Sequence, residues 1–189
     1  MNDREAFAIA VDEAKISYRE GGVPVRYSAR PPVSFYLDES AVPVASFTKK
    51  IWNGAIGAAL VSRAGTLLGR GHNQRVQKGS AIHHGETSAL ENSGRLQASA
   101  YRGATMFTTL SPCDMCTGAC LLYGIARVVI GENQTFLGGE AQLRKRGVEV
   151  VVLGDEECRG LMEAFIREKP EIWNEDIGEE ERVYSKELK

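Results

Sequence analysis

Several things are scarce or missing in this chain, and each shortage narrows what it can do. It has no excess of charge of one sign: 23 basic residues stand against 25 acidic ones, a formal net charge of -2, with a sequence pI near 6.0. That balance gives no general attraction for a phosphate backbone and lowers the expectation of a polynucleotide substrate. No apolar run approaches the ~20 residues that span a bilayer. The start, Met1-Asn2-Asp3-Arg4-Glu5, is charged and lacks the basic-then-apolar order of a signal peptide. The end, Lys186-Glu187-Leu188-Lys189, is no endoplasmic-reticulum retention signal, so the expected address is cytoplasm or nucleus. Cysteine is sparse too: of four, Cys113, Cys116 and Cys120 crowd into one segment and Cys158 stands apart. Such crowding argues against a disulfide framework and for metal or redox chemistry. No internal repeat or low-complexity segment is present.

What remains is an ordinary globular composition, 189 residues of which 43% are hydrophobic and 25% charged, enough for one domain with a real core. Ala6, Ala10 and Ala14 recur at helical spacing and predict a helix over 3–20, with Gly21-Gly22 as its stop. Residues 56–62 and 66–71 flank Arg63-Ala64-Gly65 and predict a β-hairpin. Helix is expected from His84 to Ser93 and again after Ser111-Pro112, read as an N-cap and a first-turn proline, as far as Tyr123. Strands at 104–109, 126–131 and 148–153, the last two apolar enough for burial on both faces, alternate with helices at 140–146 and 156–168, the latter stopped before Pro170. The alternation predicts a three-layer α/β/α sandwich around a central mixed sheet of about five strands, opened by a hairpin and continued by βαβ crossovers.

The chemistry concentrates in His84-Gly85-Glu86 and Pro112-Cys113-Asp114-Met115-Cys116. Two cysteines three apart in a first helical turn share a face, and their thiolates gain from the helix's positive end. His84, at the start of another helix, completes a Cys₂His set, and three protein ligands leave one tetrahedral position for water, as in a catalytic zinc site. Glu86, two residues past the histidine, is placed to move protons without being a ligand. This His-x-Glu and Pro-Cys-x-x-Cys pairing is the mark of zinc deaminases. A structural zinc with His83 as a fourth ligand is the plainer alternative, disfavoured because neighbouring side chains at a helix start diverge. Cys120 and Cys158 read as core, His72 as packing or a satisfied polar group, and Glu91 and Asp114 as solvated.

Wider stretches carry a resemblance: Gly69-Arg70-Gly71-His72-Asn73, Gln77-Lys78-Gly79-Ser80-Ala81, Leu90-Glu91-Asn92, the run from Thr108 to Ala119, Tyr123-Gly124-Ile125, Gly131-Glu132-Asn133, Phe136 and Trp173-Asn174-Glu175-Asp176-Ile177-Gly178, preceded by Gly21-Gly22-Val23-Pro24. Across residues 3–24 and 56–178 the chain resembles the fungal cytosine deaminases of the cytidine-deaminase-like superfamily. The resemblance implies a homodimer with one Zn²⁺ per subunit and hydrolytic deamination of a pyrimidine base in salvage. It implies His84, Cys113 and Cys116 as metal ligands and Glu86 as the proton shuttle. For the base it implies the Asn73 amide, the Gly85 N–H, Ser111 and Asp176 as polar contacts, with Phe136, Trp173, Leu110 and Ile56 around the ring. Such a set suits a neutral planar base. Trp173 and Asp176 lie outside any strong helical pattern and read as part of a mobile lid.

Residues 25–55, with Pro31, Pro32 and Pro43 and no period, depart from the pattern. They read as an insertion, either a surface excursion or a translated intron, entering beside Ile56. The expected organisation is a deaminase domain over 1–178 and an acidic, polar tail over 179–189. Two other readings stand beside a free-base enzyme: a deaminase of another branch, acting on a nucleoside, a nucleotide or adenosine in tRNA, and a zinc-stabilised binding module without catalysis.

Overall fold

The computed structural model describes residues 1–20 and 55–179. The expected insertion, apart from its last residue, the Gly21-Gly22 stop and the tail beyond Glu179 lie outside the described residues. Helix α1 (Asp3–Arg19) opens on a reciprocal capping box, Asn2 with Glu5, which satisfies two of the N–H groups a helix start leaves open. Its alanine stripe, Ala6, Ala10 and Ala14, is fully buried. The hairpin strands β1 (Gly57–Val61) and β2 (Leu67–His72) follow, then α2 (Arg75–Lys78), α3 (Gly85–Asn92), α4 (Ala98–Tyr101) and β3 (Thr105–Leu110). The chain continues through α5 (Asp114–Tyr123), β4 (Arg127–Glu132), α6 (Glu140–Lys145), β5 (Glu149–Val152), α7 (Glu156–Glu168) and α8 (Pro170–Ile177).

The five strands lie in the order β2-β1-β3-β4-β5. β1 is antiparallel to both β2 and β3, whereas β3–β4 and β4–β5 are parallel, the mixed sheet that the hairpin-then-crossover pattern predicts. Period-two alternation divides the core: Ala58, Leu60, Met106, Val128 and Ile130 face Ala89 of α3, Cys120 of α5 and Leu143 of α6. Ala59, Val61, Phe107 and Val129 face Ala6 and Ala10 of α1. With α7 against β4 and α1, the result is an α/β/α sandwich. At the sheet end where the site lies, Ala55, Ile56, Leu110, Met162, Phe165 and Trp173 form a third apolar cluster.

Three expectations change. β5 is an edge strand, Glu149 exposed and Val150–Val152 only half-buried. Val150 and Val152 pack on one face and Val151 on the other, but among the described residues the strand has no neighbour on its outer side. The helix after β3 starts at Asp114 with Cys113 as N-cap, not at Pro112 behind a Ser111 cap. The Ser111 N–H stays in the sheet, donating to Glu132 O at 3.0 Å, so the chain has not yet turned. Helix α7 stops at Glu168, before Pro170 as expected, but helical structure resumes at once, with Pro170 as the first residue of α8, which puts Trp173 and Asp176 on a helix.

Close approach of α3 to the sheet depends on glycine. A Cβ on Gly69 would lie 2.2 Å from Ala89 O, and one on Gly71 2.7 Å from the Ser88 carbonyl carbon. The strand gives up two side chains there, and the helix bearing His84 at its start sits at a fixed depth.

Candidate active site

His84 is the N-cap of α3 and Cys113 the N-cap of α5, with Cys116 one turn on. The two helix starts converge, so that the ligand atoms of His84, Cys113 and Cys116 all lie within 4.8 Å of one another. The ring nitrogen of His84 facing the Cys113 sulfur is Nδ1, at 3.5 Å. His83, which points away, has its Nδ1 3.0 Å from a Glu91 carboxylate oxygen. Cys120 and Cys158 are buried and stand apart from this group.

The electrostatics of the triplet are those of a cluster sharing too few positive charges. The Cys113 thiol is lowered to about 4, because Cys116 donates a hydrogen bond to its sulfur and, against the effect of burial, His84 and the backbone N–H of Cys116 add to it. Cys116, as that donor and as a buried thiol, is held well above the ordinary thiol range. Burial pulls His84 down, but its hydrogen bond to Cys113, the charge of that sulfur and the charges of Glu86 and Asp176 outweigh this, so the net shift is upward. One imidazole and two sulfurs at this separation match the donor set of zinc, and a dication supplies the positive charge that shared protons provide only in part. The residues fit the ion.

Beside the triplet, Glu86 is 3% exposed and accepts a hydrogen bond from Thr108 Oγ1 at 2.9 Å. Burial pushes its carboxyl upward, as does the charge of Cys113, while His84 and Cys116 oppose the shift. A small cavity of about 20 Å³ is lined by Ile56, His84, Glu86, Leu110, Ser111, Cys113, Phe136, Trp173, Asp176 and Ile177. Phe136 and Trp173 meet edge to face at 5.8 Å, and Trp173 also packs on Phe165 of α7. A wider vestibule of about 470 Å³ outside shares His84, Cys113, Phe136 and Asp176 and adds Arg75, Glu175 and Gly178.

Of the residues expected to contact substrate, Ile56, Leu110, Ser111, Phe136, Trp173 and Asp176 are on the cavity wall. Asn73 and Gly85 are buried just behind it. The Asn73 amide is already engaged: Nδ2 donates to Asp176 Oδ2 at 2.7 Å, and Oδ1 accepts from Arg75 N. The Ser111 hydroxyl donates to Glu140 Oε1 and accepts from Gly138 N. It therefore braces the loop that carries Phe136. Ile56, the residue beside the expected insertion, lies in the wall as an ordinary apolar side chain. Arg70, paired with Glu13, and Lys78, paired with Glu91, do not line the cavity. Sequence reasoning missed Thr108, Arg75 and Ile177. Thr108 stands in the motif-bearing strand but signals nothing without Glu86 opposite it, and Arg75 is separated from Asp176 by 101 residues.

A mixed sheet that sets two helix starts around a His/Cys/Cys triplet, with a non-ligand carboxylate beside it, defines a zinc-dependent hydrolytic deaminase. Residues 35–132 match the cytidine and deoxycytidylate deaminase zinc-binding region. The chain is 49% identical over 179 residues to the cytosine deaminase of Candida albicans, covering 95% of this chain and 99% of that protein. It is 34% identical over 123 residues to the tRNA-specific adenosine deaminase of Bacillus subtilis, covering 60% and 76%. In fold it resembles a structure from work on A-to-I editing by tRNA:A34 deaminases, with a TM-score of 0.58 and 18% identity, covering 84% of this chain and 99% of that one. A guanine deaminase from Nitrosomonas europaea gives a TM-score of 0.55 at 18% identity, covering 86% and 84%. The chain belongs to the cytidine and deoxycytidylate deaminase zinc-binding family.

Proposed function

We propose that this protein hydrolyses free cytosine to uracil and ammonia, a reaction of pyrimidine salvage. The observation that carries the reading is the lining of the cavity: aromatic and aliphatic walls, two carboxylates, and among the described residues no lysine or arginine to grip a phosphate. Arg75, in the vestibule, is committed to Asp176. Such a lining suits a neutral flat ring with donors on its edge better than an anionic phosphate. Near-full-length identity to a cytosine deaminase supports the same choice.

Zinc held by His84, Cys113 and Cys116 would supply Lewis acidity that makes water a nucleophile at neutral pH. Glu86 takes one proton from water as its oxygen bonds to C4 and passes it to the ring nitrogen. It then takes the remaining proton from the C4 hydroxyl and delivers it to the amino group as the C4–N bond breaks, leaving a C4 carbonyl and ammonia. Burial of Glu86 holds its carboxyl above the usual carboxylate range, so it takes up that proton more readily than an exposed glutamate. Thr108 fixes one oxygen and so aims the other. Phe136 and Trp173 must part to admit a ring into so small a space, then close over it and exclude water.

We further propose that two copies pair through the apolar face around α3, α4 and α5, where Leu122 is 79% exposed. Ammonia release from cytosine, cytidine, deoxycytidine, dCMP and guanine tests the substrate. Faster turnover of cytidine than of cytosine overturns the free-base choice and leaves the proton chemistry standing.

A further inference from the structure

The wall of the vestibule contains a residue with no part in the steps above. Arg75, at the start of α2, donates through Nη1 to Asp176 Oδ1 at 2.6 Å and to Glu175 O at 3.0 Å. Its own backbone N–H donates to Asn73 Oδ1 at 3.0 Å. Asn73 returns the connection by donating from Nδ2 to the second oxygen of Asp176, at 2.7 Å. The three residues thus close a ring with a unique polarity. Turning the Asn73 amide over would set oxygen against the Asp176 carboxylate and NH₂ against the Arg75 N–H, acceptor on acceptor and donor on donor. With the amide fixed, one of its N–H bonds is left over for a substrate acceptor.

The charge arrangement shows what the guanidinium is for. The Asp176 side chain is 6% exposed and that of Arg75 21%. Among the described residues, the Arg75 Nε is buried without a hydrogen-bond partner, so this side chain is placed for Asp176 and the end of α8 at some expense to its own solvation. Burial drives the Asp176 carboxyl upward, and Arg75 is the largest influence opposing it. A carboxylate lining an apolar cavity would otherwise have every reason to take a proton or swing into the vestibule.

We propose that Arg75 is the positioning residue of the recognition edge: it holds the Asp176 carboxylate and the Asn73 amide in one orientation, so that the pocket selects a base presenting a donor to Asp176 and an acceptor to Asn73. Arg75 touches no substrate atom and acts through Asp176. This rests on the reading of the cavity as a base-binding chamber.

The test is a double-mutant cycle on the zinc-loaded full chain, with Arg75→Ala, Arg75→Lys, Asp176→Asn and Arg75→Ala/Asp176→Asn. Steady-state kinetics on cytosine are paired with calorimetric binding of uracil, and zinc content and thermal midpoint report folding. Arg75→Ala is expected to raise KM by about tenfold to a hundredfold, the equivalent of one charge-assisted hydrogen bond, and to weaken uracil in proportion, with the smaller effect on kcat. Arg75→Lys restores part of the loss, since it returns the charge without the fork. On the Asp176→Asn background the same arginine change costs less than about twofold. A KM within about twofold of the parent for Arg75→Ala, or an equal loss on both backgrounds, overturns the proposal. If Arg75→Ala fails to fold, Arg75→Lys and Arg75→Gln carry the comparison: glutamine must lose the affinity that lysine keeps. The parent's own turnover is scored separately. A zinc-loaded parent inert on cytosine rejects that substrate, and the cycle is then read on whichever amino base of the panel it accepts.

Discussion

Cys113 and Cys116 differ from each other in a way their sequence spacing does not show. Cys113 is lowered to about 4 and is a thiolate at any pH near neutral. Cys116 lies well above the ordinary thiol range, and His84 is shifted upward. Zinc must therefore displace a proton from Cys116 and, below neutrality, more of one from His84 as well. Protons compete with metal, so affinity rises with pH toward neutrality and falls on acidification. Calorimetric titration of chelator-stripped protein in two buffers of different ionisation enthalpy is expected to show release of about one to two protons at pH 7. Zinc affinity equal at pH 5.5 and 7.5 would contradict the assignment. Glu86 gives a second test: it lies beside the triplet and outside it, so Glu86→Ala keeps its zinc while kcat falls by at least ~10²–10⁴-fold. Loss of metal together with activity, by elemental analysis, would show that the glutamate is a ligand. The triplet and Glu86 were legible in the sequence because each half of the motif is local, two or three residues apart on a helix start. Asn73 and Asp176 were named through the resemblance, but their link to each other and to Arg75 was not legible, because Asp176 lies 103 and 101 residues from the other two and a lone arginine beside a motif carries no sign of its partner.

At the scale of elements, the site depends on how deeply α3 seats against the sheet. Gly69 and Gly71 were visible as a matched motif, but their reason is visible only in the packing: a methyl on Gly71 meets the Ser88 backbone at 2.7 Å. Gly71→Ala is expected to cost ~1–3 kcal/mol through overpacking and to weaken zinc binding, since the helix that must shift carries His84. Gly160, in the middle of α7, has nothing within 4 Å of its missing Cβ, so the same substitution there gains ~0.5–1 kcal/mol of helix propensity. Thermal melts and zinc titrations of the two variants separate the effects; equal behaviour would remove α3 depth as the controlling feature. The α8 helix was missed for a related reason. Pro170 carries the same chemistry whether it stops one helix or starts the next, and only burial of Trp173 under Phe165 and beside Ile56 decides. The edge position of β5 was hidden likewise, because a valine-rich run covered on both faces looks the same whether it has one neighbouring strand or two.

On the whole molecule, charged groups are tied up locally. Arg127 pairs with Asp3 and Glu149, Lys15 with Glu157, and Arg159 with Glu156 and Glu163, so near-neutral net charge is also dispersed charge. Apolar exposure is more concentrated. Leu90, Leu96, Tyr101, Ala119, Leu122 and Tyr123 border a groove of about 1000 Å³, and in it Leu122 is 79% and Tyr123 41% exposed. Exposed apolar side chains gathered on one face often mark a binding surface, and under the proposed pairing a second copy would meet this face with its own equivalent about a twofold axis. The helices beneath it are α3 and α5, the two that carry the zinc ligands at their opposite ends, so pairing would also stiffen the metal site from behind. Leu122→Arg puts a charge at the centre of that face without touching the buried core. It is expected to convert a dimer to a monomer by light scattering after size exclusion and to lower the thermal midpoint in a concentration-independent way, where the parent's midpoint rises with protein concentration. A parent that is monomeric at every concentration, or a Leu122→Arg variant that still pairs, would place the interface elsewhere or remove it.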